Sequence, residues 1–327
     1  MYLVTGGAGF IGSNVVAQLS AGGAEVIVCD RFHRDERWRN LAKHELADII
    51  LPEAITDWFR RHHASIDAVI HMGAISTTTE TDIDAIVRSN VRATLDLLAL
   101  CTEYRTRLVY ASSAATYGNG EAGFDDDLRS EALARLHPLN AYGWSKHVVD
   151  RRIARLAAEA RPLPPQWVAL KFFNVYGPNE YHKGSMQSLV AKSFSAVLAG
   201  RPLGLFRSYR PGCPDGGQAR DFIYVEDCVS VILWFLGHPE ISGLFNLGTG
   251  KARTWLDLAH AVFDAAVKPR QIEFIDMPAH LIAQYQYFTE APMHRLRAAG
   301  YDRLFTSLEE GVARYVRQYL VADDPFR

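Results

Sequence analysis

The chain opens on a short apolar run, Met1-Tyr2-Leu3-Val4-Thr5, that stops in Gly6-Gly7-Ala8-Gly9-Phe10-Ile11-Gly12, after which Val15, Val16 and Leu19 recur at helical spacing. Strand, glycine turn and helix in that order permit few folds. Gly6 and Gly9 let the backbone turn tightly and approach a pyrophosphate, and the helix that follows points its positive end at that charge. The spacing is G-x-x-G-x-x-G, a variant of the commoner G-x-G-x-x-G. Glu25-Val26-Ile27-Val28-Cys29-Asp30 reads as the next strand and sets Asp30 eighteen residues past Gly12, where a carboxylate takes ribose hydroxyls. These features predict a dinucleotide site at the edge of a parallel sheet.

Further along, short apolar strands alternate with longer helical patterns, as in a sheet wound on both sides. Ala68-Val69-Ile70, Leu108-Val109-Tyr110 and Val168-Ala169-Leu170 read as buried strands, with Ile83 to Tyr104 and Tyr142 to Ala160 as crossover helices. The expected fold is α/β, a doubly wound parallel sheet of the Rossmann type with a second, smaller α/β lobe. The dinucleotide-binding domain is expected over 1–172 plus roughly 221–243, and the substrate lobe over 173–220 plus roughly 244–327. Ligands in such sheets gather at the carboxyl ends of strands. That singles out Gly6 to Gly12, Asp30, Gly73-Ala74, Ser112-Ser113 and Phe173-Asn174. Tyr209 to Gly217, rich in Gly and Pro, predicts a loop. Thr254-Trp-Leu-Asp257 and Ser307-Leu-Glu-Glu310 read as helix caps.

Tyr142 and Lys146 stand four residues apart, on one face of a helix. An ammonium beside a phenol stabilises the phenolate, so the pair is suited to moving a proton on a carbinol. For the cofactor, Asp30 favours a free 2′-hydroxyl, whereas Arg31, Arg34, Arg37 and Arg39 crowd the same loop, and guanidinium forks suit a 2′-phosphate. The reading is NADP, with Arg31 and Arg37 as the phosphate ligands and NAD as the alternative.

With a net charge of −2 over 327 residues, the chain has no electrostatic case for nucleic acid or an anionic membrane. Cys29, Cys101, Cys213 and Cys228 are scattered without a C-x-x-C pair, which fits reduced thiols and no metal framework. No apolar run approaches the ~20 residues of a membrane span, the longest lying around Val229 to Leu236. A cytoplasmic protein acting on small molecules is expected.

Gly6-x-x-Gly9-x-x-Gly12, Asp30, Ser89-Asn90-Val91, Tyr110-Ala-Ser-Ser113-Ala-Ala-Thr-Tyr-Gly118 and Tyr142-x-x-x-Lys146 resemble the extended short-chain dehydrogenases/reductases. The resemblance runs through the whole chain. Phe173-Asn-Val-Tyr-Gly-Pro178, His182-Lys-Gly-Ser-Met186, Arg220-Asp-Phe, Leu244 to Gly250 and Tyr285-Gln-Tyr-Phe-Thr289 are similar to the ADP-heptose 6-epimerase branch. That branch inverts C6 of the heptose of an ADP-sugar, a precursor of the lipopolysaccharide inner core.

The resemblance implies roles. Tyr142 exchanges the proton of the sugar hydroxyl, Lys146 holds the nicotinamide ribose, and Ser113, directly before the Ala-Ala-Thr-Tyr-Gly run, hydrogen-bonds the reacting oxygen. Lys183 is the second acid/base, required because the hydride leaves one face of the carbon and returns to the other. Phe10, Ile11, Met72, Gly73, Ala74, Ile75, Ser76, Ser89, Asn90, Val175 and Lys183 are implied cofactor contacts. Ser113, Asn174, Ser185, Lys192, Phe206, Arg207, Ser208, Arg220 and Tyr285 are implied substrate contacts. Arg220 has the clearest physical case, a guanidinium gripping two phosphate oxygens; the competing reading pairs it with Asp221. Lys192 and Pro52 depart from the family, which carries histidine at the first position and can carry a cofactor-contacting lysine at the second. A homo-oligomer, pentameric by resemblance, is implied. Two rival readings stand: a UDP-hexose 4-epimerase, for which His182 to Met186 has no purpose, and an NADP sensor without turnover, which has no need of Tyr142 and Lys146. A 4,6-dehydratase is disfavoured because Ala114-Ala115 follow Ser113 where an Asp-Glu pair is required.

Overall fold

The computed structural model describes residues 1–32, 34–282 and 285–327. The main sheet has seven parallel strands in the order β10-β6-β5-β4-β1-β2-β3. In chain order these are β1 Tyr2–Thr5, β2 Val26–Cys29, β3 Asp48–Ile50, β4 Ala68–His71, β5 Arg107–Ser113, β6 Trp167–Phe172 and, after three strands of the second lobe, β10 Gly243–Leu247. Because their side chains are buried on both faces, β1, β2, β4 and β6 read as continuous apolar runs rather than alternating ones. One face packs Trp58, Phe59, Leu98, Cys101, Val149 and Ile153 from the helices Ile55–His62, Ala93–Glu103 and Ala141–Ala158. The other packs Val15, Val16, Leu19, Val229, Ile232 and Phe235 from Phe10–Ala21 and Val225–Gly237.

The doubly wound architecture is thus present, with its strands within a few residues of the expected places. The expected crossover helix from Ile83 is interrupted by a π-type turn over Val87–Arg92. The second lobe carries β7 Asn174–Tyr176, β8 Leu203–Phe206, β9 Ala219–Tyr224, β11 Ala252–Thr254 and β12 Ile272–Ile275, arranged as β11-β9-β7 and β12-β8. Its core gathers Val190, Phe194, Val262, Phe263 and Val312. Thr254 and Asp257 form a reciprocal capping box, and Ser307 caps the helix Leu308–Tyr315.

The expected break near 243 moves. Leu244–Leu247 pair in register with Ala169–Phe172 and so complete the main sheet, while β9 pairs with β7 and β11 instead. Strand partners this far apart in sequence are chosen by sheet completion, which a local reading does not contain.

Candidate active site

The carboxyl ends of β1, β2, β4, β5 and β6 open into one cavity of about 730 Å³. Its floor is the glycine loop. Gly6 takes φ +65°, and a Cβ there would lie 2.5 Å from the Gly73 amide nitrogen; a Cβ on Gly12 would collide with the Gly6 carbonyl oxygen. The bare backbone therefore presents the amino end of the helix Phe10–Ala21 to the cavity, a seat that fits a pyrophosphate. Asp30 stands beside it, accepting from the Ala8 amide at 2.9 Å and the Arg31 amide at 2.7 Å. These groups fit a nicotinamide dinucleotide.

The arginines separate. Arg37 lines the cavity, clamped by Asp35 through bonds of 2.7–3.0 Å, with its guanidinium 3.9 Å from Asp30. Arg31 does not line it; exposed, it pairs with Glu53. Of the two expected phosphate ligands, the cavity lining therefore includes Arg37 and not Arg31.

Asn140 caps the helix Ala141–Ala158 by accepting from the Gly143 amide at 2.8 Å, which puts Tyr142 in the first turn and Lys146 one turn on. Both line the cavity with Ser113, which ends β5. The two adjacent serines divide: Ser112 donates to buried Asp150 at 2.7 Å, while Ser113 accepts from the Ala115 amide at 3.1 Å. Burial dominates the titration here. It pushes the Tyr142 phenol above its ordinary value, with Ser113 favouring the phenolate and Asp150 opposing it. It pulls the Lys146 ammonium down to about 8, against Asp150. The phenol lowered by its lysine neighbour, expected from spacing alone, is reversed by desolvation.

Val175 and Asn174 line the same cavity from β7, and His182, Lys183 and Met186 line it from the turn Tyr181–Met186. The Lys183 ammonium lies 5.1 Å over the Phe10 ring. Burial lowers its proton affinity, buried Glu180 raises it, and Lys192 lowers it again. Lys192 thus acts on Lys183 from outside the cavity lining.

Met72 to Ser76, Phe10 and Ile11 line the cavity as expected. Ser89 and Asn90 do not. Asn90 is buried, bonded to the Ile75 amide and carbonyl at 2.8 and 2.9 Å and to Ser145 at 3.0 Å, so it braces Ile75, which does line the cavity. Ser185, Phe206, Arg207, Ser208, Arg220 and Tyr285 also fall outside the lining. Three of them form a neighbouring cluster, with Arg220 5.3 Å over the Tyr285 ring and Phe206 edge-on to the same ring. The Arg207 guanidinium lies 3.8 Å from Asp215 and 3.5 Å from Asp276, and the Ser208 amide donates to Asp215, so this segment is engaged within its own lobe. Ser185 is exposed. Arg220 does not pair with Asp221, which instead accepts from Thr249, Gly250 and Ala291. Among the described residues Arg220 meets no carboxylate; it is buried, and its guanidinium donates to the Ala219 carbonyl at 2.9 Å. Gln286 and Thr289 carry this lobe into the cavity, Gln286 donating to the Gly118 carbonyl.

Sequence reasoning passed over Thr77, Thr78, Thr79, Leu139, His182 and Gln286, all of which line the cavity. His182 had a visible signal, its place beside Lys183. Among the described residues its Nδ1 is buried without a hydrogen-bond partner, and burial with Arg37 nearby pulls its pKa down to about 4.

Residues 2–248 match the NAD dependent epimerase/dehydratase family. The chain is 49% identical, across 100% of both chains, to the ADP-L-glycero-D-manno-heptose-6-epimerase of Nitratidesulfovibrio vulgaris strain DP4. It is 43% identical, again across 100% of both, to the enzyme of that name from Fusobacterium nucleatum. Among solved structures, the Helicobacter pylori ADP-L-glycero-D-manno-heptose-6-epimerase superposes with TM-score 0.78 at 25% identity, covering 97% of this chain and 95% of that one. The Thermus thermophilus UDP-glucose 4-epimerase in complex with NAD gives TM-score 0.72 at 27% identity, covering 98% and 99%.

Proposed function

Because the chain belongs to the NAD dependent epimerase/dehydratase family, we propose that it inverts C6 of the heptose in ADP-D-glycero-β-D-manno-heptose, giving the L-glycero epimer for the lipopolysaccharide inner core. The observation that carries the reading is one cavity lined both by Tyr142, Lys146 and Ser113 and by Lys183, acid/base groups on separate elements. A dehydrogenase needs only the first set.

In this reading Tyr142 takes the proton of the 6-hydroxyl while Ser113 hydrogen-bonds the same oxygen as it becomes a carbonyl. A nicotinamide dinucleotide seated on the Gly6–Gly12 loop beside Asp30 would supply the hydride acceptor and donor that inversion at C6 requires. Lys146 holds the nicotinamide ribose and keeps a positive charge near the phenol, offsetting the burial that makes its ionisation difficult. Lys183 then serves the reoriented sugar, where Tyr142 no longer reaches; burial lowers its proton affinity below the ordinary lysine value, as an acid/base lysine requires. Arg220 grips the diphosphate of the ADP group, and Asn174 orients the sugar.

The cofactor is a nicotinamide dinucleotide, and we read it as NADP. Arg37, which lines the cavity 3.9 Å from Asp30, supports this reading, because a guanidinium fork suits a 2′-phosphate. The enzyme is expected to be a cytoplasmic homo-oligomer; among the described residues no helix is long and apolar enough to cross a membrane.

The decisive experiment is proton NMR of ADP-D-glycero-β-D-manno-heptose with enzyme and no added cofactor, then with NADP. Equilibration of the C6 epimers is expected. A substrate that stays unchanged in both conditions overturns the reading.

A further inference from the structure

The helix Ala141–Ala158 carries Tyr142, Lys146 and Asp150 at four-residue steps, one above another on a single face. Two of them line the cavity; the third turns into the sheet. The Asp150 carboxylate accepts from Ser112 at 2.7 Å, from Tyr110 at 3.2 Å and from the Lys171 ammonium at 3.0 Å, with neither charged side chain exposed at all. Lys171 also donates to Thr116 at 2.5 Å and lies 4.6 Å over the Tyr117 ring, whose hydroxyl donates to Asn246 of β10 at 2.7 Å. One buried ion pair therefore ties the helix to β5, which ends at Ser113, and to β6, which runs on toward Asn174. Such a pair is often no more stabilising than apolar residues of equal volume. Nothing in the proton and hydride exchange described above uses it.

We propose that Asp150 and Lys171 are positioning residues for the oxidation step: their pair holds the Tyr142–Lys146 face against Ser113 and balances the electric field in which Lys146 keeps its proton. The proposal rests on the epimerase reading for its activity assay and on geometry for its substance.

Besides Asp30, Arg37, His182 and Lys183, which line the same cavity, polar and titratable groups behind Tyr142 and Lys146 come from three strands and from the helix itself. His71 comes from β4, bonded to Thr5 at 2.5 Å and Thr94 at 2.9 Å, and burial pulls it down to about 3, so it stays neutral. Tyr110, Ser112 and Ser113 come from β5, Lys171 from β6, and His147 and Asp150 from the helix itself. His147 is pulled down to about 4 by burial and by Lys171. That leaves the Asp150 carboxylate, which raises the proton affinity of Lys146, and the Lys171 ammonium of opposite sign that pairs with it at 3.0 Å.

Opposite signs make the test sharp. In the holoenzyme, the alkaline limb of kcat, where Lys146 loses its proton, is expected to move down by about one pH unit in Asp150→Asn and up by about one in Lys171→Met. The double variant Asp150→Leu/Lys171→Met should return the limb near wild type while kcat falls roughly ten- to hundredfold at unchanged KM, the mark of lost alignment. A merely structural bond would lower the melting temperature of both single variants and leave the limb in place; that outcome, or shifts of the same sign, overturns the proposal. Each single variant buries an unpaired charge, so the double variant keeps the test alive if they fail to fold, and wild-type kcat in the folded double variant also overturns it. Fluorescence titration with NADPH over the same pH range reads the Lys146 limb without sugar. Absence of turnover in the wild type would thus defeat the substrate reading while the binding limbs still decide this one.

Discussion

Lys146 is 2% exposed, and burial takes its pKa from 10.5 to about 8. An unfolded lysine keeps its ordinary affinity, so between pH 8 and 10.5 the unfolded chain holds more protons than the folded one, and stability rises with pH across that window. Below it, folding carries the whole penalty of a buried ammonium, about 3 kcal/mol at about 1.4 kcal/mol per tenfold change in proton affinity. Lys146→Met keeps the apolar stem and removes the charge. At neutral pH the variant is expected to be more stable by up to about 3 kcal/mol, a rise in melting temperature of roughly 6 °C at about 2 °C per kcal/mol for a chain of this size. The gain should shrink as pH climbs from 8 to 10.5, because the wild-type lysine then sheds its proton anyway. Epimerisation should collapse at every pH. Cofactor-free melting scans of both proteins, at neutral pH and above pH 10.5, read the difference. A variant that melts below wild type at neutral pH, or a gap that does not narrow as pH rises, refutes the reasoning; a stabilised, inactive variant marks a charge kept for function at the expense of stability.

Lys183→Met should abolish epimerisation while fold and NADPH binding persist, as read by NMR and fluorescence titration; full activity sinks the two-base scheme. Arg37→Ala should weaken NADP binding roughly ten- to hundredfold, the worth of a charge-assisted phosphate contact, while leaving NAD binding nearly unchanged. An unaltered preference by isothermal titration would return the cofactor to NAD. Arg220→Met should raise KM for the ADP-sugar roughly tenfold or more, with kcat affected less, because the lost contact is remote from C6. An unchanged KM for the ADP-sugar would place Arg220 away from the diphosphate.

What could be read from the residues was what chemistry and local geometry impose over a few positions. Gly6, Gly9 and Gly12 announce a close backbone approach because no side chain fits there, and the structure shows the collisions a Cβ would meet. Tyr142 and Lys146 share a face through helical spacing alone, and both line the cavity. Partners brought by tertiary contact were out of reach. No spacing rule joins Asp150 to Lys171, His182 to the loop of Arg37, or Gln286 to Gly118, and burial reversed the expected effect on the Tyr142 phenol. Arg31 and Arg37 show the limit most plainly. Six residues apart in one loop, they looked equivalent as phosphate ligands, yet Glu53 holds one away while Asp35 braces the other on the wall beside Asp30. The carboxylate partners, one two residues before Arg37 and one far along the chain from Arg31, rather than the arginines themselves, decide which guanidinium faces the cavity. An Asp35→Ala variant should therefore lose much of the NADP preference with Arg37 still present, and would fail to do so only if the guanidinium holds its place unaided.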